Sequence, residues 1–240
     1  MLKPALGSLK FFIWYRVGHL TRSNWFFLLY QWLFNKNLGV VDDRTNLMIE
    51  GFPRSGNTFL YSIISDFQTE TLRIAHHLHT LSQIKNALRL NTSAVIMVRD
   101  PIDAIVSFKI RNPYVGFATL ANYYLKYHSF LLDKLEAENL LIVDFQKCIN
   151  SPNETIKAIN DKFNLGLRTL SEEQLKIDII NKIKEYDKLD NKSEHSNSLT
   201  VSVPTPEKSA QKRKLVDELE KVLSQSKRKE LLGIYNKIIH

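Results

Sequence analysis

Residues 46–67 join an apolar run, a turn with two glycines and a helical pattern without a break. The apolar run at 46–50 leads directly into the turn Gly51-Phe-Pro-Arg-Ser-Gly-Asn-Thr58. A strand that enters a helix through such a turn directs backbone N–H groups at the helix N-terminus towards one point, where they can bind an anion. The segment therefore predicts an anion-binding loop at the carboxyl end of a strand.

The same alternation continues along the chain. Further strands are predicted at 71–75, 94–98 and 140–145, and helices at 58–67, 81–90, 101–110, 117–136 and 151–163. The run at 94–98 is apolar throughout, which is typical of a strand buried on both faces. Strands that alternate with helices indicate an α/β protein with a central parallel sheet flanked by helices.

Composition separates an N-terminal segment from one α/β domain. Ten of the 25 aromatic residues lie between Phe11 and Phe34, so residues 1–45 are assigned to an aromatic and basic helical segment and residues 46–240 to the domain. Within the domain, residues 187–209 are rich in Asp, Asn, Ser and Lys and are predicted to form a mobile loop. Basic helices at 209–239 complete it.

Two interpretations of the N-terminal segment stay open. Its apolar runs are much shorter than the roughly 20 residues that a membrane-spanning helix needs. The segment either packs on the core or makes peripheral membrane contact through residues 1–35, with aromatic side chains at the interface and basic ones near anionic headgroups. Because a lone cysteine, Cys148, fits a reducing compartment, we expect a cytoplasmic protein, free or peripheral at the membrane.

The net charge of +8 is concentrated at the two ends of the chain. Residues 1–46 have six Lys and Arg against two acidic residues, and residues 182–240 have thirteen against nine, whereas the part between them has fourteen of each. A nucleic-acid groove across the domain would need a basic surface there. We therefore expect no nucleic-acid partner.

The loop at 51–58 has the spacing of a nucleoside-triphosphate loop but lacks its lysine. Asn57 stands where that lysine would neutralise the β- and γ-phosphates, which disfavours a triphosphate substrate. Arg54 supplies a cation inside the turn instead. Taken alone, such a loop is equally compatible with an ordinary tight turn.

A second element follows the buried run at 94–98. Arg99 comes directly after that run, and Ser107 lies eight residues later. The carboxyl ends of parallel strands share one edge of the sheet, which is where ligands bind. An arginine and a hydroxyl at this edge can bind a phosphate separate from the one held by the first loop.

These two elements together resemble the nucleotide-binding motifs of the cytosolic and Golgi sulfotransferase family. Pro53-Arg-Ser-Gly-Asn-Thr-Phe59 is similar to the family's 5′-phosphosulfate loop, usually Pro-Lys-Ser-Gly-Thr-Thr-Trp, and Arg99 to Ser107 is similar to its 3′-phosphate motif. The resemblance implies a three-layer P-loop-type fold and a bacterial-type sulfotransferase domain at 46–240. It also implies 3′-phosphoadenosine 5′-phosphosulfate (PAPS) as co-substrate, without a metal. The implied donor-binding residues are Arg54, Ser55, Gly56, Asn57, Thr58, Phe59, Arg99, Ser107 and Phe145.

The sequence departs from the family's pattern at several of these positions. Arg54 replaces the usual lysine, Asn57 replaces a threonine, and Phe59 replaces the tryptophan that stacks on adenine. Phe145 stands where many members have tyrosine. The C-terminal Arg-Lys-Gly loop of the cytosolic enzymes is absent, and residues 203–213 resemble the shorter basic segment of bacterial members.

Transfer to a hydroxyl requires a base, for which histidine is suited because its pKa lies near neutrality. In the family a Lys-x-His sequence follows the second strand, and the matching residues here are Ala75-His76-His77. The resemblance therefore implies His77 as the base, with His76 and His79 as alternatives. It leaves Arg54 to neutralise the charge of the leaving group.

The leading hypothesis is thus transfer of a sulfuryl group from PAPS to a hydroxyl acceptor on a glycan, a lipid or a small molecule. The alternative is a P-loop phosphotransferase that uses ATP or GTP with magnesium, for which Asp100 is the well-placed carboxylate. A non-catalytic membrane adaptor, which rests on the N-terminal segment alone, is the third hypothesis.

Overall fold

The computed structural model describes residues 25–34, 39–67, 72–171 and 206–240, together with positions 15, 173, 174 and 181. Most of residues 1–24 and of the predicted loop at 187–209 lie outside the described residues. The elements in chain order are α1 (Trp25–Phe34), β1 (Leu47–Gly51), α2 (Asn57–Ser65), β2 (Ile74–His76), α3 (Leu81–Arg89), β3 (Ser93–Val98), α4 (Pro101–Arg111), α5 (Phe117–Leu132), β4 (Leu140–Asp144), α6 (Phe145–Asn150), α7 (Pro152–Phe163), α8 (Pro206–Val222) and α9 (Gln225–Ile239).

The described strands form one sheet in the order β2-β1-β3-β4, and all of their pairings are parallel. Strand β1 lies between β2 and β3, with Met48 opposite both Ala75 and Ala94. All five residues of β1 are buried, because neighbours cover it at both edges and on both faces. The predicted α/β class and parallel sheet are confirmed.

Two apolar layers cover the sheet because successive side chains of a strand point to opposite faces. Met48, Ile96 and Val98 pack on one face with helices α3, α4, α5, α8 and α9. Ile49 and Val95 pack on the other face with helices α2 and α7. The result is the predicted three-layer arrangement, with the carboxyl ends of β1 and β3 side by side at one edge.

Some element boundaries differ from those predicted. Phe145 was expected to end the fourth strand, but it begins α6, because the Asp144 carboxylate accepts a hydrogen bond from the Lys147 amide at 2.9 Å and caps that helix. The helix predicted at 117–136 ends at Leu132. The first of the C-terminal helices begins at Pro206 and not at 209, so the end of the predicted loop is helical.

Helix α1 packs on the domain by one side. Phe27 is fully buried and forms a small apolar cluster with Val40 and Leu78. The opposite side of the helix leaves large apolar side chains exposed. No helix among the described residues is long and apolar enough to cross a membrane.

Candidate functional site

The first loop passes from β1 into α2 through two residues with left-handed backbone, Arg54 at φ 70° and Gly56 at φ 91°. Gly56 is required twice over, because a Cβ there would meet Phe145 Cδ2 at 2.7 Å in a conformation that side chains disfavour. Ser55 is fully buried, and its hydroxyl has no hydrogen-bond partner among the described residues. A buried hydroxyl left unpaired is costly, so this one indicates a place for a ligand atom.

Arg99 leaves the end of β3 and supports the first loop from below. Its Nη1 donates to the Arg54 carbonyl oxygen at 2.8 Å, and its guanidinium lies 4.2 Å from the centre of the Phe145 ring. The Tyr124 hydroxyl donates to the Arg99 carbonyl oxygen at 2.7 Å and fixes the backbone there. Arg99 Nε is buried and has no hydrogen-bond partner in the described part of the chain.

Arg54 and Ser107 join the first loop directly to helix α4. Arg54 Nε donates to the Ser107 hydroxyl oxygen at 3.3 Å, although 53 residues separate them. Ser107 lies on the buried side of α4, two turns after Asp100, whose carboxylate caps that helix by accepting from the Asp103 amide at 2.9 Å. The guanidinium of Arg54 therefore reaches the second element as well as the first loop.

The C-terminal helices contribute a further cation beside Arg99. Lys212 Nζ lies 2.6 Å from Asp103 Oδ1, and the other oxygen of Asp103 accepts from Arg99 at 3.3 Å. Burial alone would raise the pKa of Asp103, but Lys212 and Arg99 outweigh that effect and lower it. Asp103 is therefore a carboxylate that holds two cations at the edge of the site.

His76 is the last residue of β2, which ends one residue later than predicted, and His77 and His79 follow the strand and lie against the first loop. His77 and His79 have left-handed backbone, with φ of 61° and 56°. His77 Nε2 lies 3.0 Å from the Thr58 hydroxyl oxygen, and His79 Nδ1 lies 2.9 Å from the Gly51 carbonyl oxygen, to which it can donate. His76 stacks on Tyr61 with ring centres 4.0 Å apart. His77 is thus the histidine whose imidazole contacts Thr58, while the His79 ring lies 3.5 Å from the Asn57 side-chain amide nitrogen.

All three imidazoles are held in the neutral form at neutral pH. Burial lowers the pKa of His76 and of His79 to about 4. Burial, and then the charges of His76, His79 and Arg111, lower the pKa of His77 well below its ordinary value. A neutral imidazole can accept a proton, so each ring meets the first requirement of a general base.

Glu50 is a residue of this site that the sequence analysis missed. Its carboxylate is fully buried and accepts from the backbone amides of Leu78 at 2.7 Å and His79 at 2.9 Å. Desolvation by burial raises the pKa of Glu50 to about 8, against the effect of those hydrogen bonds. The available signal was a lone carboxyl in the apolar run just before the loop, since a buried carboxyl must find donors nearby.

Tyr123 is a second residue that the sequence analysis did not assign to the site. Its hydroxyl donates to the His79 carbonyl oxygen, and its ring packs on Phe52 with ring centres 4.8 Å apart. Helix α5 thereby also holds the histidine loop.

Three other residues that were predicted to bind the nucleotide donor make contacts within the protein. Phe59 and Phe145 are partly buried and pack against the same apolar layer beneath α2. The side-chain amide of Asn57 donates to the Phe52 carbonyl oxygen at 3.4 Å, so it braces the turn. Among the described residues, no cluster of His, Cys, Asp or Glu is arranged to hold a metal ion.

No protein family model matches this sequence, and no curated protein matches it. Among solved structures, the fold is similar to the crystal structure of mouse sulfotransferase SULT7A1 complexed with PAP. The similarity has a TM-score of 0.46 at 14% sequence identity and covers 82% of this chain and 91% of the mouse chain. Identity this low assigns neither a substrate nor a reaction to the chain.

Proposed function

We propose that this chain transfers a sulfuryl group from PAPS to a hydroxyl acceptor. One observation carries the proposal: Arg54, Arg99 and Ser107 meet at the carboxyl ends of two adjacent parallel strands, joined by hydrogen bonds of 2.8 and 3.3 Å. Two cations and a hydroxyl at this edge suit a ligand with two separate phosphate groups. The buried, unpaired hydroxyl of Ser55 in the described loop adds a donor on the same side.

In this proposal the first loop binds the 5′-phosphosulfate. Its donors are the N-terminal amides of α2, including that of Thr58, with the hydroxyl of Ser55, and the positive end of the helix dipole favours the anion. Arg99 and Ser107 bind the 3′-phosphate, and Phe59 and Phe145 lie on the adenine side. Arg54, which contacts Ser107 in this structure, lies between the two phosphate sites, so its charge is available to both.

In the proposed reaction, His77 acts on the acceptor and Arg54 acts on the leaving group. His77 accepts the proton of the acceptor hydroxyl, whose oxygen forms a new bond to sulfur. The bond between sulfur and the bridging phosphate oxygen breaks, and Arg54 neutralises the charge left on that oxygen. The products are the sulfate ester and adenosine 3′,5′-bisphosphate, and the proton passes from His77 to solvent.

Calorimetric titration tests the donor assignment. Adenosine 3′,5′-bisphosphate should bind without magnesium and should be weakened by Arg99→Ala, whereas ATP with magnesium should bind much more weakly. Tight binding of ATP that depends on magnesium would instead favour the phosphotransferase, even though the Asp100 carboxylate caps a helix here.

A transfer assay tests the reaction itself. The chain is incubated with radiolabelled PAPS and an extract of the native cell, and the labelled product is identified. The proposal includes glycan, lipid and small-molecule hydroxyls as acceptors and a cytoplasmic location. If the bisphosphate binds but no label is transferred to any acceptor, the binding assignment stands and the enzymatic one falls.

A further inference from the structure

The exposed apolar residues of helix α1 lie on a single face. Trp25, Leu28, Leu29, Trp32 and Leu33 have between 42% and 77% of their surface exposed. At 100° per residue they fall within an arc of about 140° on one side of the helix. Phe27, which is fully buried against Val40 and Leu78, points the opposite way. We refer to the five exposed residues as the outer face of α1.

An apolar face of this kind marks a binding surface, and the charge of the surrounding sequence indicates what it binds. The first 41 residues contain five Lys and Arg and not one Asp or Glu. The nearest charged residues in the sequence on either side of the helix are both basic, Arg22 before it and Lys36 after it. The sequence around this apolar face is therefore basic.

We propose that the outer face of α1 binds the surface of a membrane containing anionic lipids. Leucines and tryptophans suit the boundary between headgroups and acyl chains, and the flanking cations suit anionic headgroups. A second copy of the chain is a poorer partner, because pairing two such faces would bring two basic segments together. The helix has ten residues, so it lies in the interface and does not span the bilayer.

Vesicle binding of the full chain tests this proposal without reference to its enzymatic activity. All three tryptophans lie between positions 14 and 32, so tryptophan emission reports on this end of the chain alone. Vesicles of phosphatidylcholine with phosphatidylserine should shift the emission to shorter wavelength and co-sediment with the protein. Vesicles of phosphatidylcholine alone should bind much less, and added salt should weaken the binding.

The decisive variant carries Leu29→Gln and Leu33→Gln, because glutamine keeps helix propensity while removing two apolar contacts. It should bind anionic vesicles at least about tenfold more weakly than the unaltered chain. The matched control is Leu232→Gln, at an exposed leucine of α9, which should bind like the unaltered chain.

Three results would overturn the proposal. The first is equal vesicle binding by the double variant and the control. The second is that the unaltered chain does not bind vesicles and sediments as a dimer, while the double variant sediments as a monomer. This result would assign the face to a second copy of the chain. The third is that the unaltered chain does not bind vesicles and the double variant melts at a lower temperature than the unaltered chain. This result would mean that the chain itself covers the face.

Discussion

The two sides of the candidate site stand on different parts of the sheet. The first loop and Arg99 follow β1 and β3, which are neighbours and pair along five residues, whereas the histidines lie at the end of β2 and just after it, and β2 pairs with β1 along three residues. On the donor side, the contacts run between residues that the motifs themselves contain, such as Arg99 to Arg54. On the histidine side, the loop is held by Glu50 and Tyr123, which belong to other elements. The residues proposed to bind the donor could therefore be identified from motif spacing, whereas Glu50 and Tyr123 could not, although tertiary contacts hold both sides.

The largest expected effect is a loss of turnover when a residue of the histidine side alone is changed. His77→Ala should lower turnover by about 10²- to 10⁴-fold and leave the affinity for adenosine 3′,5′-bisphosphate nearly unchanged, because a base acts after binding. Steady-state kinetics and calorimetry on the same preparation measure the two quantities. The rate of the unaltered enzyme should fall with decreasing pH only below the ordinary histidine pKa of about 6.5, since the pKa of His77 is lowered.

His76→Ala and His79→Ala serve as matched controls for that variant. Each should keep more turnover than His77→Ala, since neither imidazole contacts Thr58 in this structure. His79→Ala is the cleaner control, because His76 Nδ1 lies 2.5 Å from His77 Nδ1 and helps to orient that ring. A large loss at either position, with an active His77→Ala, would move the base by one or two residues. If all three variants stay active, histidine is not the base.

The next effect belongs to the donor side alone. Arg99→Ala removes a charge-assisted contact worth about 2–3 kcal/mol and should weaken adenosine 3′,5′-bisphosphate by about 30- to 150-fold. Adenosine 5′-phosphosulfate, which lacks the 3′-phosphate, should be weakened much less, through the lost contact of Arg99 with the Arg54 carbonyl alone. Arg89→Ala, at an exposed arginine of α3, should change neither nucleotide. Equal weakening of both nucleotides by Arg99→Ala would make Arg99 a structural residue.

Only some residues of the candidate site could be predicted from the sequence. Arg99 and Ser107 were assigned from an apolar run and a spacing of eight residues, both of which are local. Glu50 could not be assigned, because its partners lie 28 and 29 residues away and only the pairing of β1 with β2 brings them near. Phe145 was placed in the wrong element because a single cap at Asp144 determines where the strand ends.

Substitution of Glu50 should have an effect of intermediate size on turnover. Glu50→Gln should lower turnover by about tenfold with unchanged donor affinity, because one acceptor facing a buried loop amide becomes a donor. Glu50→Ala, which removes both acceptors, should lower turnover further. If Glu50→Gln weakens the donor as much as it slows turnover, Glu50 supports the phosphate loop and not the histidines.

The same carboxyl should make stability depend on pH. The pKa of Glu50 is about 8 in the folded chain against an ordinary value of 4.5, so the folded state holds the proton more tightly than the unfolded state. Its contribution to stability is complete below pH 4.5 and is lost as the pH rises through 8. Melting temperatures of the unaltered chain should therefore fall relative to those of Glu50→Gln across this range. A constant difference between the two would contradict the raised pKa.

The smallest expected effect is on donor affinity and comes from Phe145, whose uncharged ring packs against the Arg99 guanidinium. Phe145→Leu keeps an apolar side chain but removes the ring beneath the Arg99 guanidinium, so donor affinity should fall about threefold. Calorimetry with adenosine 3′,5′-bisphosphate measures this, and turnover at saturating donor should stay the same. A loss as large as that of Arg99→Ala would mean that Phe145 contacts the nucleotide directly.

The parallel sheet also determines when the site can form during folding. Leu47 pairs with Ile74 and with Ser93, and Ala94 pairs with Leu140, so each pairing closes a long stretch of chain before it yields a contact. Such closures cost conformational entropy at the outset, which makes the search slow compared with that of a helical bundle. We therefore expect Arg54 to meet Arg99 only after the central strands have aligned, and we expect no short fragment of the chain to retain the site.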